Sequence, residues 1–435
     1  MKSNEITIGI SDIALYLPRP LIDTDTLVRE RVSRAPELEE ALWRAVRTTG
    51  QRSIRFPEAW EDTVTMAAQA AHSLLDGGRG NDASRLRYLT VGTETPVDQS
   101  KPVASYVEGL LQRAGVSVPE NISTFQVQHA CAGGTLSLMA LSGLLAAAPA
   151  GEAGMVICSD VARYPAASTA EITQGAGAVS LLVERNPRLI ELDLATAGFS
   201  SRDVDDFFHP LDSDTARVKG GYSIRCYRQA LDSAFLDHCR RRGEEPAEVL
   251  RETDLFALHT PFRYLPLRSL IGLLNNHLGM DRERAEEFLA ERGLPAALEP
   301  SSRVGNLYTG SLFLGLAALL EERLRVLGEG LAGRRLLLAS YGAGNTMIVL
   351  SGRVAAGAAE VIRRWRLEES WGAGASSSPE SYLEYAGRRS GVGPIARSES
   401  VPPGSFFLAS IREDGYREYG YRHPVASRAA AALLS

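Results

Sequence analysis

Cysteine is scarce in this chain: four residues, Cys131, Cys158, Cys226 and Cys239, among 435. None sits in a CxxC, so the common zinc and dithiol motifs are absent, and a chain this long needs no disulfide framework. The expectation is a reducing, cytoplasmic setting without a metal. The sequence starts with a polar stretch that runs into a strand, which does not read as a secretory leader. No apolar run approaches the roughly 20 residues of a membrane span. Positive charge is not in excess either. The 47 Lys+Arg against 53 Asp+Glu leave a net charge of -6, which argues against bulk nucleic-acid binding.

What is present is an ordinary globular composition, 44% hydrophobic and 23% charged, enough for a large core and for about two to three domains. β-rich runs alternate with amphipathic helices. Strands are expected over 6–10, 87–91, 154–158, 178–183, 255–258, 335–340 and 346–351, with helices over 61–75 and 312–327. This is an α/β pattern. The halves look related in order, which divides the chain into residues 1–190 and 191–435.

Cys131 stands where an apolar stretch, 123–130, meets a small-residue helix, 131–148. Amides at a helix N-terminus favour a thiolate and can stabilise an oxyanion, so this thiol is a candidate nucleophile for a thioester. The helix is apolar or small nearly all round, which predicts burial on every side. A buried structural cysteine remains the alternative.

Other candidates follow strands. Glu94 lies in VGTET (91–95), and a carboxylate in a narrow apolar site has a raised pKa suited to acid–base work; a solvated loop glutamate has the same sequence. His259 directly follows the strand 255–258, where α/β sheets place ligands; a structural histidine is equally compatible. Asn306, before a helix, can donate to a carbonyl oxygen or cap the helix. The turn SYGAG (340–344) offers backbone amides for an oxyanion hole. The segments 372–378 and 387–391 read as loops, the first a flexible segment or flap and the second locally basic. The apolar tail 429–434 is too short to anchor in a membrane.

Four stretches together, VGTETPVDQSK (91–101), TQGAGAV (173–179), GYSIRCY (221–227) and VGNLYTGSL (304–312), resemble the 3-hydroxy-3-methylglutaryl-CoA synthase family of the thiolase superfamily over residues 5 to 350. The resemblance implies a thiolase-like fold, two βαβαβ halves in five layers, and a homodimer. It implies Cys131 as the acylated nucleophile, Glu94 as acid/base and His259 as the residue that binds and polarises the acceptor carbonyl. Asn306, Ala343, Thr173 and Tyr308 take substrate-binding places, the amides of Cys131 and Ala343 facing the acyl oxygen. Asp98, Asp160 and Asp206 take the supporting acidic places. No cofactor is implied beyond the phosphopantetheine of the substrates.

The chain departs from the pattern in three places. Ala132 follows the nucleophile where the family has tyrosine, which reshapes the acyl pocket. His209 precedes Pro210 where a basic residue is common. Tyr264, beside Arg263, stands where CoA-using members have a lysine. Together with the tail 404–419, these favour the branch that installs β-branches on polyketides held on acyl carrier proteins. The expected reaction is aldol condensation of a Cys-bound acetyl or short acyl group with a carrier-bound β-ketoacyl thioester. The mevalonate-pathway synthase, an acyltransferase to an alcohol or amine, and a non-catalytic carrier-binding scaffold are the alternatives.

Overall fold

The computed structural model describes residues 7–389 and 391–424; Ile6 of the first expected strand and the tail 429–434 lie outside the described residues. Nine strands form one mixed sheet: β1 (Ile8–Tyr16), β2 (Leu86–Gly92), β3 (Ser123–Val127), β4 (Ala153–Val161), β5 (Ala176–Arg185), β6 (Ile190–Ser201), β7 (Leu255–Leu258), β8 (Arg335–Gly342) and β9 (Thr346–Val354). Their spatial order is β7-β8-β9-β6-β1-β5-β4-β2-β3. β2 lies parallel to β3 and β4, and β7 parallel to β8; the other pairs are antiparallel. In each half the first strand is therefore central and the crossover strands lie outside. The halves join where Ile8–Ile10 of β1 pair with Ile190–Leu192 of β6.

The helix Thr63–Leu74 covers β1, β4 and β5, and Gly220–Arg242 covers β6 and β9. Between the sheet halves run the central helices Gly133–Ala147 and Ser311–Leu327. This is the five-layer, thiolase-like arrangement. Asp62 begins the Thr63–Leu74 helix by accepting from the amides of Val64 and Thr65, a cap worth about 1 kcal/mol.

Two expectations need correction. The Gly133–Ala147 helix is not buried all round. Its first turns and one face are buried, but Ala140, Gly143, Leu144, Ala146 and Ala147 are exposed. Its window Ala130–Ala147 also reaches a mean hydropathy of 1.6, enough by length and composition to cross a membrane, but 56% of it is buried as a core helix. The segment 372–378 is not a free loop: Ala375–Ser376 pairs parallel with Pro20–Asp23 in a small three-stranded sheet. Of the basic segment 387–391, Arg389 pairs with Asp214 at 2.7 Å.

Candidate active site

A close backbone contact brings the site together. Gly92 at the end of β2 touches the start of the central helix so closely that a Cβ there would stand 2.4 Å from the Gly134 nitrogen. That contact sets the loop after β2 against the loop before the helix. Ala130, just before Cys131, holds φ +42°, a left-handed conformation that costs a non-glycine residue roughly 1–2 kcal/mol. As a result Cys131 Sγ and Glu94 Oε1 lie 2.9 Å apart.

Both groups are buried, and burial decides their protonation. Burial first, and then the Asp160 charge, push the Glu94 carboxyl up to about 8. Burial and the neighbouring Glu94 likewise raise the Cys131 thiol well above its usual range. The thiolate expected from helix position is therefore not the resting form. The helix proper begins two residues later, at Gly133, and the carboxylates outweigh its dipole. At rest Cys131 is a thiol donating to Glu94.

Asp160 organises this corner. Its Oδ1 accepts from Thr93 Oγ1, the Glu94 and Thr95 amides and Thr95 Oγ1, and its Oδ2 accepts from the Thr309 amide and Oγ1. One buried carboxylate thus ties the Glu94 loop to the loop that carries Asn306. Asp206 does similar work opposite, accepting from Tyr341 Oη at 2.7 Å, Ser223 Oγ at 3.0 Å and the Gly344 amide at 3.0 Å. These bonds hold the turn bearing Ala343. Asp98 does not join the site. It accepts from the amides of Ser100 and Lys101, shaping a surface turn before the Val103–Arg113 helix.

A cavity of about 470 Å³ leads to Cys131 and is lined by His259, Asn306, Tyr308, Thr173 and Ala343 among others. His259 is 2% exposed and its Nδ1 has no partner. Burial lowers its pKa to about 3, so it is a neutral imidazole that can hydrogen-bond but brings no charge. Asn306 Oδ1 accepts from the Tyr308 amide at 2.9 Å and Ser311 Oγ at 2.8 Å. Its Nδ2 group is the one left to donate. The Tyr308 hydroxyl is buried without a partner. Unsatisfied buried polar groups are costly in an empty pocket, and here two of them line the space in front of the thiol.

Sequence reasoning missed Tyr164, Tyr341 and Thr309. Tyr164, Phe207 and Tyr308 meet edge to face around Cys131. Tyr164 directly follows Arg163 in the Asp160 stretch, and Thr309 lies in the Asn306 stretch. An aromatic or a threonine carries no distinctive spacing, so neither could be singled out. Among the described residues no group of three or more His, Cys, Asp or Glu is arranged to hold a metal ion.

A buried thiol bonded to a poised carboxyl, at the end of a tunnel lined by a neutral histidine and an asparagine, on a thiolase-like fold, defines a condensing, acyl-transferring enzyme. Comparison with known proteins narrows this. Residues 5–187 match the hydroxymethylglutaryl-coenzyme A synthase N-terminal family and residues 282–422 its C-terminal family. The chain is 30% identical to the hydroxymethylglutaryl-CoA synthase of Enterococcus faecalis, covering 81% of this chain and 84% of that protein. It is 28% identical to the human mitochondrial synthase, covering 96% and 90% respectively. The structure of MvaS in complex with 3-hydroxy-3-methylglutaryl coenzyme A superposes with a TM-score of 0.84 at 34% identity, over 96% of this chain and all of that one. PksG of Bacillus subtilis (TM-score 0.81, 21% identity, 96% of this chain and 100% of that one) shares the fold. So does the curacin-pathway HMG synthase in complex with apo donor-ACP (0.80, 22%, 95% and 100%). The chain belongs to the hydroxymethylglutaryl-CoA synthase family.

Proposed function

We propose that this enzyme condenses a Cys131-bound acetyl or short acyl group with the β-carbonyl of a β-ketoacyl thioester carried on an acyl carrier protein, as in polyketide β-branching. Cys131 attacks the donor thioester, the acyl–sulfur bond to pantetheine breaks, and the Cys131 thiol proton leaves with the departing pantetheine thiol. The Glu94 carboxylate next takes a proton from the acyl α-carbon. The resulting carbanion attacks the acceptor β-carbonyl, which His259 and Asn306 polarise, and the new alkoxide takes the proton that Glu94 removed, returning Glu94 to the carboxylate. Water then cleaves the acyl–Cys131 bond. Ala343 stands at the acyl oxygen, and Thr173 and Tyr308 line the substrate.

The observation that carries the choice of carrier is the tunnel mouth. Tyr264, at the family's lysine position, turns away from the cavity. Its ring lies against Gly50, where a Cβ would approach to 2.7 Å. The cations that line the mouth are Arg44 and Arg268. Arg268 stacks on Tyr264 at 5.4 Å and, among the described residues, pairs with no carboxylate. Arg44 has only a 3.9 Å contact with the exposed Glu40. Beside them the Gly220–Arg242 helix begins without a side-chain cap, its amides available to a phosphate. Two uncommitted guanidiniums and a bare helix end suit a phosphopantetheine phosphate on an acidic carrier.

Arg268→Ala combined with Arg44→Ala is therefore expected to lower kcat/KM for the acyl carrier by about tenfold or more and to flatten its salt dependence. Acylation of Cys131 by a short pantetheine-free thioester should be unchanged. Equal loss with both donors would remove the mouth from substrate selection. The deciding experiment is intact-protein mass after incubation with acetyl-CoA and, separately, with an acetyl-carrier protein. Acylation selective for the carrier supports this reading. A second reading, the mevalonate-type reaction on acetyl-CoA and acetoacetyl-CoA, is favoured by the higher identity to CoA-using relatives, and efficient acylation and turnover of the free CoA thioesters would establish it. Glu94 bonded to the thiol weighs against a simple acyltransferase, which needs no carbanion.

The enzyme works as a cytoplasmic homodimer in this reading. The edge strand β3 and the exposed Ala140, Gly143, Leu144 and Ala147 of the central helix offer an unpaired strand edge beside an apolar face, surfaces that pairing with a second copy would cover. Light scattering should return twice the 47.0 kDa chain mass; a monomer at micromolar concentration would exclude it.

A further inference from the structure

Among the buried polar clusters that the mechanism leaves unused, one adjoins the cavity. Arg31 pairs with Glu171 through Nε at 3.1 Å and Nη2 at 2.5 Å. The Tyr382 hydroxyl donates to Glu171 Oε1 at 2.9 Å and accepts from Gln174 Nε2 at 2.7 Å. Gln174 Oε1 in turn accepts from the Tyr164 amide at 3.2 Å. Arg31, Glu171, Gln174 and Tyr382 are all at most 9% exposed, so each of these bonds is made out of reach of water and is costly to lose.

The cluster connects remote structure to the cavity. Tyr382 belongs to the helix Pro379–Gly387, outside the nine-stranded sheet. Residues 173–174 carry the acceptor side of the site. The Asn306 amide donates to the Thr173 carbonyl at 2.9 Å, and Gln174 and Asn306 form an isolated β-bridge. The approach is so close that a Cβ on Gly305, at φ +93°, would stand 2.0 Å from the Gln174 carbonyl oxygen. Asn306 therefore hangs from this segment by its backbone, and Tyr164 by its amide. Cys131 and Glu94 do not touch it; Asp160 holds the Glu94 loop.

We propose that Tyr382 and Gln174 are positioning residues for the acceptor step, through which the Pro379–Gly387 helix sets where Asn306 and Tyr164 stand in the cavity. This rests on the assignment of Asn306 to the acceptor carbonyl made above. Asp160 bonds both the Glu94 loop and the Asn306 loop, whereas the Tyr382 clamp bears on the acceptor side alone. A loss in the clamp falls on the second half-reaction.

The test is Tyr382→Phe, which keeps the ring and removes the hydroxyl, with Gln174→Leu as a second variant that removes both bonds of the amide. Tyr385→Phe, a buried tyrosine on the same helix that does not bond Gln174, is the control. Donor acylation of Cys131 is followed by intact mass, and condensation of the pre-acylated enzyme is measured against acceptor concentration. For Tyr382→Phe, acylation is expected within about twofold of the parent, while kcat/KM for the acceptor falls about tenfold, mainly through KM. Gln174→Leu should show the same split, and Tyr385→Phe neither change. Acylation and condensation falling by one factor in step with Tm would reduce the clamp to a structural contact and overturn the proposal. Normal condensation by both variants would overturn it while leaving the reaction assignment intact. A parent enzyme that is acylated but never condenses would overturn both.

Discussion

Cys131→Ala is expected to abolish every covalent acyl adduct in intact-protein mass spectra and to lower turnover by about 10⁴-fold or more, since a nucleophile removed outright leaves only binding and electrostatics. The expectation rests on geometry. Cys131 is the cysteine that lines the cavity, and its Sγ donates a hydrogen bond to Glu94 Oε1 at 2.9 Å. No other thiol can substitute. Cys158 is fully buried behind the central helix, so close that a Cβ on Gly134 would come within 2.3 Å of its sulfur. Cys226 and Cys239 lie on the outer Gly220–Arg242 helix. The alanine variant should fold, because the thiol makes one side-chain hydrogen bond and no structural bridge. An adduct that persists in Cys131→Ala would move the nucleophile elsewhere and undo the mechanism.

Glu94→Gln should separate the two half-reactions. Its Oε1 still receives the thiol, and the negative charge that raises the Cys131 pKa is gone, so acylation is expected to survive. Condensation needs a base at the acyl α-carbon and should fall about 10²- to 10⁴-fold. In the parent enzyme, condensation should rise with pH as the carboxyl ionises near 8, and that limb should vanish in the variant. Stability should move the opposite way from activity. Folding raises this carboxyl from its ordinary 4.5 to about 8, so the folded chain holds a proton that the unfolded chain releases. The stabilisation from that proton is complete below about 4.5 and is lost as pH rises through about 8. Glutamine does not titrate. The variant's Tm relative to the parent should therefore climb between these pH values and then level off. Unchanged condensation would transfer the proton to another group; a flat Tm difference would mean Glu94 is ionised in the folded chain.

Much of the fold was legible in the sequence because it rests on short-range patterns. The run 255–258 is a strand to the residue, and the expected helix 312–327 differs from the observed Ser311–Leu327 by one position. β6 escaped because its burial is partial along most of its length, so it carries no apolar run. The segment 372–378 reads as a loop because glycine and serine give no pattern, and Ala375–Ser376 becomes a strand only by pairing with Pro20–Asp23. Asp98 shares a stretch with Glu94, but four residues of turn carry it to the surface.

The sequence by itself determined the α/β alternation and singled out the candidates Cys131, Glu94, His259 and Asn306, each just after or before an element it could display. These depend on hydrophobic period and near neighbours in the chain. Only the tertiary structure decided that Glu94 and Cys131 touch, that the thiol rests protonated, that Asp160 bonds both loops, and that Tyr382 bonds Gln174. Those properties depend on sheet register and on burial among carboxylates. Both arise between residues from 37 to more than 200 positions apart, a separation that no local pattern encodes.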